Sequence, residues 1–181
     1  MMQSKQFSEE QLKKKLMDKA TYYLSKYASH SKKLKIILLN YIIKNKISLS
    51  DNNRNKYIDI TVQKCKDLGY LNDELYASNR LRNMLIQGKS KNFILAKLLQ
   101  LGISKEMSYK TIDEAFSDNK YCDYRSAIRF IKRKKIGQLY NKTSEDVSSS
   151  NFNRWMSIMI RAGYEYDMAK KVLNLKTIND I

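Results

Sequence analysis

The stretch LGYLNDELYASNRLRNMLIQGKSKNFILAKLLQLGISKEMSYKTIDEAF, Leu68 to Phe116, holds one whole structural unit together with both of its borders. Leu68-Gly69-Tyr70 closes one helix, and Asn72 is placed to cap the next, its side-chain oxygen accepting from a backbone N–H that has no partner inside the helix. Asp73 and Glu74 favour the same end through the helix dipole. Leu75, Leu81, Met84 and Leu85 then recur at spacings close to helical until Gly88 breaks the run. A second helix carries Ile94, Leu95, Leu98, Leu99 and Leu101 and stops at Gly102, where a residue without Cβ most easily turns left-handed, and Ser104 caps a third. The unit reads as helix, glycine turn, helix, glycine turn, helix. Such short helices are not stable alone in water, so they must pack on something.

Outward from this unit, the apolar spacing predicts a first helix from Leu12 to Tyr27, with Leu16, Ala20, Tyr23, Leu24 and Tyr27 on one stripe. After Ser29-His30-Ser31, a second carries Leu34, Ile37, Leu38, Tyr41 and Ile42. The Asn-, Ser- and Lys-rich segment from Lys44 to Asn55 reads as a mobile loop, and a third helix covers Tyr57 to Leu68. Beyond Ser117-Asp118-Asn119 the pattern predicts a helix from Tyr121 to Ile136, ended by Gly137. A second flexible connection follows from Gln138 to Ser150, and then helices from Asn151 to Ala162 and Glu165 to Leu175.

The glycine punctuation repeats. LLQLGISKEM and IMIRAGYEYDM each run an apolar helix into glycine, a large apolar residue, a short cap and a methionine, and the segment from Cys65 to Asp73 has the same form. The residue after the glycine is bulky each time (Tyr70, Ile103, Tyr164), as expected where a hydrophobic contact pins the helix end across the turn. The expected architecture is all-α: an elongated, curved stack of three three-helix repeats, each buried against its neighbours. A disordered tail over residues 1–11 precedes repeats over 12–68, 69–118 and 119–181. A compact helical bundle is the competing arrangement.

Composition narrows the function. The chain has 181 residues, 43% of them apolar, no proline and five glycines, which suits a folded helical protein. With 35 Lys and Arg against 18 Asp and Glu, its formal net charge is +17, a field that attracts polyanions. Acids are missing from Lys19 to Ser50, from Leu75 to Lys105 and from Tyr124 to Ser144, so the positive charge lies in blocks. A Lys- and Asn-rich composition is also what an AT-rich genome produces. Cys65 and Cys122 stand in no metal or redox motif, and a reducing, cytoplasmic setting is expected. No apolar run approaches the roughly 18 residues of a membrane span, and the polar, acidic opening MMQSKQFSEEQ is unlike a signal peptide.

Catalysis is not expected, and neither a cofactor nor a metal. There is no phosphate-binding glycine loop, dinucleotide fingerprint or metal-spaced Cys/His set. Asp73-Glu74 is explained by helix capping, and His30 reads as a turn residue making its own local hydrogen bonds. Tyr23, Tyr27, Tyr41 and Trp155 fall on apolar stripes and read as core, although some of the 13 tyrosines could stack on bases. The helix from Tyr121 separates two faces. Arg125, Arg129, Lys132 and Arg133 lie within about 100° of one another, opposite Tyr124, Ala127, Ile128, Phe130 and Ile131. Such a face suits phosphate oxygens or acidic partner residues, and would equally serve as a merely solvated one.

The order of motifs resembles the RecX family of bacterial RecA regulators: Ala20-x-x-Tyr23-Leu24, Ser31-x-x-Leu34, Leu68 to Asp73 with Tyr76-Ala77 behind, Gly88 before Ile94, Leu98 and Gly102-Ile103, and Arg161-x-Gly163-Tyr164. The resemblance spans residues 20–175. It implies a crescent of three-helix repeats lying in the groove of the RecA filament on DNA. There it would limit filament growth, ATP hydrolysis and strand exchange in recombination, DNA repair and the SOS response. The expected partners are the RecA filament and single- and double-stranded DNA, met by a monomer with no membrane association. With Arg125, Arg129, Lys132 and Arg133, the candidate binding residues are Lys32, Lys33, Arg80, Arg82, Lys89, Lys91, Arg154 and Arg161. The alternative is a helical protein that binds nucleic acid without sequence preference and independently of RecA.

Overall fold

A computed structural model describes residues 7–117, 123–140 and 149–177. Every regular element among them is an α-helix: α1 (Glu9–Leu24), α2 (Ser31–Lys44), α3 (Asp51–Asp67), α4 (Asp73–Ile86), α5 (Lys91–Leu101), α6 (Lys105–Ser117), α7 (Asp123–Lys134), α8 (Ser149–Arg161) and α9 (Tyr166–Leu173). The chain packs as two units, one of Met1–Tyr76 with Leu101–Ile103 and one of Ala77–Gln100 with Ser104–Ile181.

In the first unit α1, α2 and α3 pack on one another, each presenting one stripe at near four-residue spacing: Leu12, Leu16 and Ala20; Leu34, Leu38 and Ile42; Ile58, Val62 and Cys65. The Leu, Ile and Val side chains among them contribute about 1.5–3 kcal/mol each on full burial, which is what holds three short helices together. In the second unit Ala127, Ile128, Phe130 and Ile131 of α7 form a core with Trp155, Met156 and Met159 of α8 and with Tyr164, Ala169, Val172 and Leu173. The same unit buries Leu81, Met84 and Leu85 of α4, Ile94 and Leu98 of α5, and Ile112 of α6.

The helices end in one recurring way. At α3, α4 and α8 a glycine with positive φ (Gly69, Gly88, Gly163) is followed by an N–H that reaches back five residues to a carbonyl: Tyr70 to Cys65, Lys89 to Met84, Tyr164 to Met159. The caps expected from Asn72 and Ser104 are both present, accepting from Leu75 N at 2.8 Å and Met107 N at 3.2 Å.

Several boundaries differ from expectation. Residues 7–11, expected in a disordered tail, are ordered: Phe7 packs on the first core, and Ser8 and Gln11 form a capping box that starts α1 at Glu9. The expected loop from Lys44 to Asn55 is half helix. Ser50 caps α3 through Asn53 N, and Ile47 is buried, because Lys46 adopts φ 52° and lets Ile47 N reach Ile42 O. Gly137 does not end α7. Lys135 takes the left-handed position at φ 53°, Ile136 N reaches Ile131 O and Ile136 is buried. Ser149 and Ser150, expected in the connection from Gln138, belong to α8, and residues 141–148 of that connection lie outside the described residues, as do 118–122, which include the expected helix start at Tyr121. Tyr27 is exposed rather than core, with its ring beside that of Tyr23.

Candidate nucleic-acid interface

α7 divides as its sequence requires. Ala127, Ile128, Phe130 and Ile131 are buried, Arg125 and Arg129 are half-buried, and Lys132, Arg133 and Lys134 are exposed in the last turn, where cations also suit the negative end of the helix dipole. The arginine face is not simply open to solvent. Arg129 Nη1 donates to Leu85 O at 3.2 Å and Arg133 Nη1 donates to Gln87 O, so two guanidinium groups satisfy carbonyls at the C-terminal end of α4. Gly88 makes this possible. A Cβ there would stand 2.8 Å from Phe130 N and 2.9 Å from Ser126 O, so α4 ends directly on the backbone of α7. Tyr164 closes the joint by donating its hydroxyl to Gly88 O at 3.0 Å, edge-on to Phe130. Burial pushes this phenol far above its ordinary pKa, with the Asp123 charge adding to the effect.

Among the expected binding residues, the structure therefore brings Lys89, Arg129 and Arg133 to one place, the end of α4. Lys89 holds its ammonium 4.6 Å over the Phe93 ring, and Arg133 lies 5.6 Å over that of Phe130. Each guanidinium has five donors, so a bond to one carbonyl leaves capacity for phosphate. Lys91 is differently occupied: its ammonium lies 3.6 Å from Asp113. Arg80, Arg82, Arg154 and Arg161 are exposed, Arg82 beside Glu114 in a hollow of about 230 Å³ and Arg161 donating Nε to Ser157 O. Lys32 and Lys33 are exposed on the first turn of α2 in the first unit, Lys32 with its stem over Gly102.

Two carboxylates position the helix starts that carry these cations. Asp73, first residue of α4, accepts the Ser31 N–H at 2.7 Å and the Ser31 hydroxyl at 2.6 Å, with Lys66 Nζ 3.1 Å away. It thereby caps α2, whose own N-cap residue His30 makes no side-chain capping bond. Burial pushes the Asp73 carboxyl up, but the two Ser31 bonds and Lys66 outweigh it and hold the group below its ordinary value. Asp123, first residue of α7, accepts the N–H of Lys91 at 2.9 Å at the start of α5. Here burial wins, aided by the Glu165 charge, and the carboxyl is raised despite the Lys91 N–H. His30, expected to bond locally, is instead buried beside the Tyr76 ring at 5.0 Å. Its pKa is lowered by burial, against the pull of Asp73 and with Lys32 and Lys33 adding to the lowering. Asp73 was legible as a cap of its own helix, but its bond to Ser31, 42 residues away, had no local signal.

Among the described residues no cluster of His, Cys, Asp and Glu could hold a metal ion, and no helix is long and apolar enough to cross a membrane.

No family model matches the chain. It is 26% identical over 162 residues to a protein of Myxococcus xanthus (strain DK1622) named regulatory protein RecX, covering 88% of this chain and 84% of that protein. Its fold is similar to the crystal structure of RecX from Lactobacillus salivarius, with a TM-score of 0.68 at 20% identity over 89% of this chain and 94% of the other. It is also similar to a second crystal structure of a regulatory protein RecX, with a TM-score of 0.65 at 12% identity over 95% of this chain and 80% of the other.

Proposed function

We propose that this chain, a member of the RecX family, binds the RecA filament on DNA and limits its ATP hydrolysis and strand exchange in recombination and DNA repair. The observation that carries the reading is the likeness to a regulatory protein RecX across 88% of the chain. The protein acts by binding, as a cytoplasmic monomer built from the three repeats expected over 12–68, 69–118 and 119–181. The basic end of α7 contributes to the contact: Lys132, Arg133 and Lys134 are exposed in its last turn, within a stretch that has no acid from Tyr124 to Ser144, and Arg129 one turn before is half-buried. Lys32, Lys33, Arg80, Arg82, Lys89, Arg154 and Arg161 remain further candidates, with Arg125 on α7 itself.

The test is ATP hydrolysis by the host's RecA on single-stranded DNA, with binding of this chain measured with and without RecA. The expected result is binding strengthened by RecA and slowed hydrolysis. Equal binding to bare DNA with no effect on hydrolysis would instead identify a RecA-independent nucleic-acid binder. Lys132 and Lys134 are better probes than the arginines, which also secure α4. Changing both to Gln should leave melting unchanged and reduce the slope of log affinity against log salt by about 1.4–1.8 units if each meets a phosphate. An unchanged slope would remove the end of α7 from the contact.

A further inference from the structure

We infer that the groove between the end of α1 and the Gly69 turn, in the first unit, takes an unstacked base of a single-stranded nucleic acid, with Tyr70 as its stacking wall. The inference rests on the DNA-binding part of the proposed function and not on RecA.

The first observation is a side chain the fold does not need. In the equivalent place after the left-handed residue, Ile47, Ile136 and Tyr164 are 6%, 8% and 2% exposed, each pinning its helix end. Tyr70 is 56% exposed, and Leu71, at 4%, fills the core beneath the turn in its place. Tyr70 instead lines, with Thr21, Leu24 and Ser25 at the end of α1, a mostly apolar groove of about 260 Å³. A groove of this size has room for a base ring.

The second observation is charge. Tyr22, 58% exposed and next along α1, has the Lys26 ammonium 4.2 Å from its ring centroid and 2.6 Å from its hydroxyl, and the Lys19 ammonium 5.8 Å from its ring. Asp18 lies one position before Lys19, and from Lys19 to Ser50 there is no acid. Tyr22 and Lys26 each follow a groove residue, Thr21 and Ser25, by one position, so the helix that lines the groove also carries the cations that the phosphates flanking a stacked base require. A purely apolar peptide segment would have no use for the two ammoniums.

The third observation sets the specificity. The Thr21 hydroxyl donates to Met17 O at 3.0 Å and Asp18 O at 3.2 Å, and the Ser25 hydroxyl donates to Tyr22 O at 2.9 Å. Both protons go to carbonyls of α1, leaving stacking without donors that read a base edge. Stacking, which every base can offer, is then the main contact, so the site should discriminate little among bases.

The test uses the whole chain, without RecA, and fluorescence anisotropy with three probes: a thymine-only strand, an abasic strand of the same length, and a duplex. The parent should bind the thymine strand more tightly than the abasic one. Tyr70→Ala should lose roughly ten-fold on the thymine strand, in line with one lost base–aromatic stack, and little on the abasic strand or duplex, whereas Tyr70→Phe should bind like the parent. Because Tyr70 is exposed and holds the turn through its backbone, the Ala variant should melt with the parent. If Tyr70→Ala binds the thymine strand as tightly as the parent, or loses equally on all three probes, the stack is overturned while DNA binding stands. A parent that binds none of the probes overturns the DNA-binding reading, and this inference with it. A parallel measurement of Tyr70→Ala on a RecA filament completes the test: unchanged affinity for the three DNA probes with weakened hold on the filament would make the occupant a protein side chain and likewise overturn the proposal.

Discussion

The two places where a carboxylate meets the start of another helix solve one problem with opposite electrostatics. In the first unit, Asp73 is surrounded by donors, two from Ser31 and one from Lys66, and its charge is stabilised in the folded state. In the second, Asp123 has the single N–H of Lys91 and the nearby charge of Glu165, and its charge is penalised. What holds the second unit at this level is close contact and bonds that end on neutral carbonyls and hydroxyls, those of Arg129 to Leu85 O and of Arg133 to Gln87 O among them, with no carboxylate partner among the described residues. Gly88 sits on the α7 backbone, Tyr164 bonds Gly88 O, the Ser90 hydroxyl donates to Ala162 O at 2.7 Å and accepts from Phe93 N, and Asn92 donates to Gly163 O. One joint depends on charge and the other on fit, so they should fail differently.

The largest effect should come from spoiling the fit. Gly88→Ala places a methyl group within 3 Å of two backbone atoms of α7 in addition to the strain of φ +63°. It should cost about 3 kcal/mol or more, combining left-handed strain with overpacking. Gly69→Ala is the control: φ is +73° with open space around the added methyl, so about 1–2 kcal/mol is expected. Equal losses in thermal or urea melts would mean that α4 and α7 can move apart freely.

Removing the charge comes next. Asp73→Ala leaves the Ser31 N–H at the start of α2 without its cap and Lys66 without its partner, and should cost about 1.5–3 kcal/mol, the range for hydrogen bonds to a charged group. A loss under about 0.5 kcal/mol would show that solvent caps α2 equally well. Arg129→Gln should cost less, about 1 kcal/mol, from the lost bond to Leu85 O. No loss would restore the arginine face to a purely solvated or binding role.

The helical fold was legible because glycine turns and apolar stripes are local signals, and Asn72 and Ser104 cap where their sequence places them. Two helix ends escaped notice for one physical reason. Lysine, not glycine, takes the left-handed position at 46 and 135, so the buried Ile47 and Ile136 followed no recognisable punctuation. The start of α3 was missed because its first turn, Asp51-Asn52-Asn53-Arg54, is polar and set by the Ser50 cap. The basic face of α7 was legible as a face. That Arg129 and Arg133 reach the end of α4 was not, since the bonds join residues 44 and 46 positions apart.

The smallest effect is also the sharpest discriminator, because one substitution should act with opposite sign in the two places. Asparagine keeps an acceptor for the backbone N–H and cannot ionise. Asp73 has a folded pKa below its ordinary value, so its contribution is full above the ordinary carboxylate pKa of about 3.9 and is lost as pH falls through the depressed value. Asp123 has a folded pKa above its ordinary value. Its penalty is absent at low pH, grows as pH rises from the ordinary value through the raised one, and stays constant above. From pH 3 to pH 6, the stability of Asp73→Asn relative to the parent should therefore fall, while that of Asp123→Asn should rise and end within about 1 kcal/mol of the parent at pH 7, the scale of one ordinary hydrogen bond. Urea melts of both variants and the parent across this range measure the two slopes. Slopes of the same sign would mean that Asp123 is as well served by its surroundings as Asp73, and that the distinction between a joint held by charge and one held by fit is wrong.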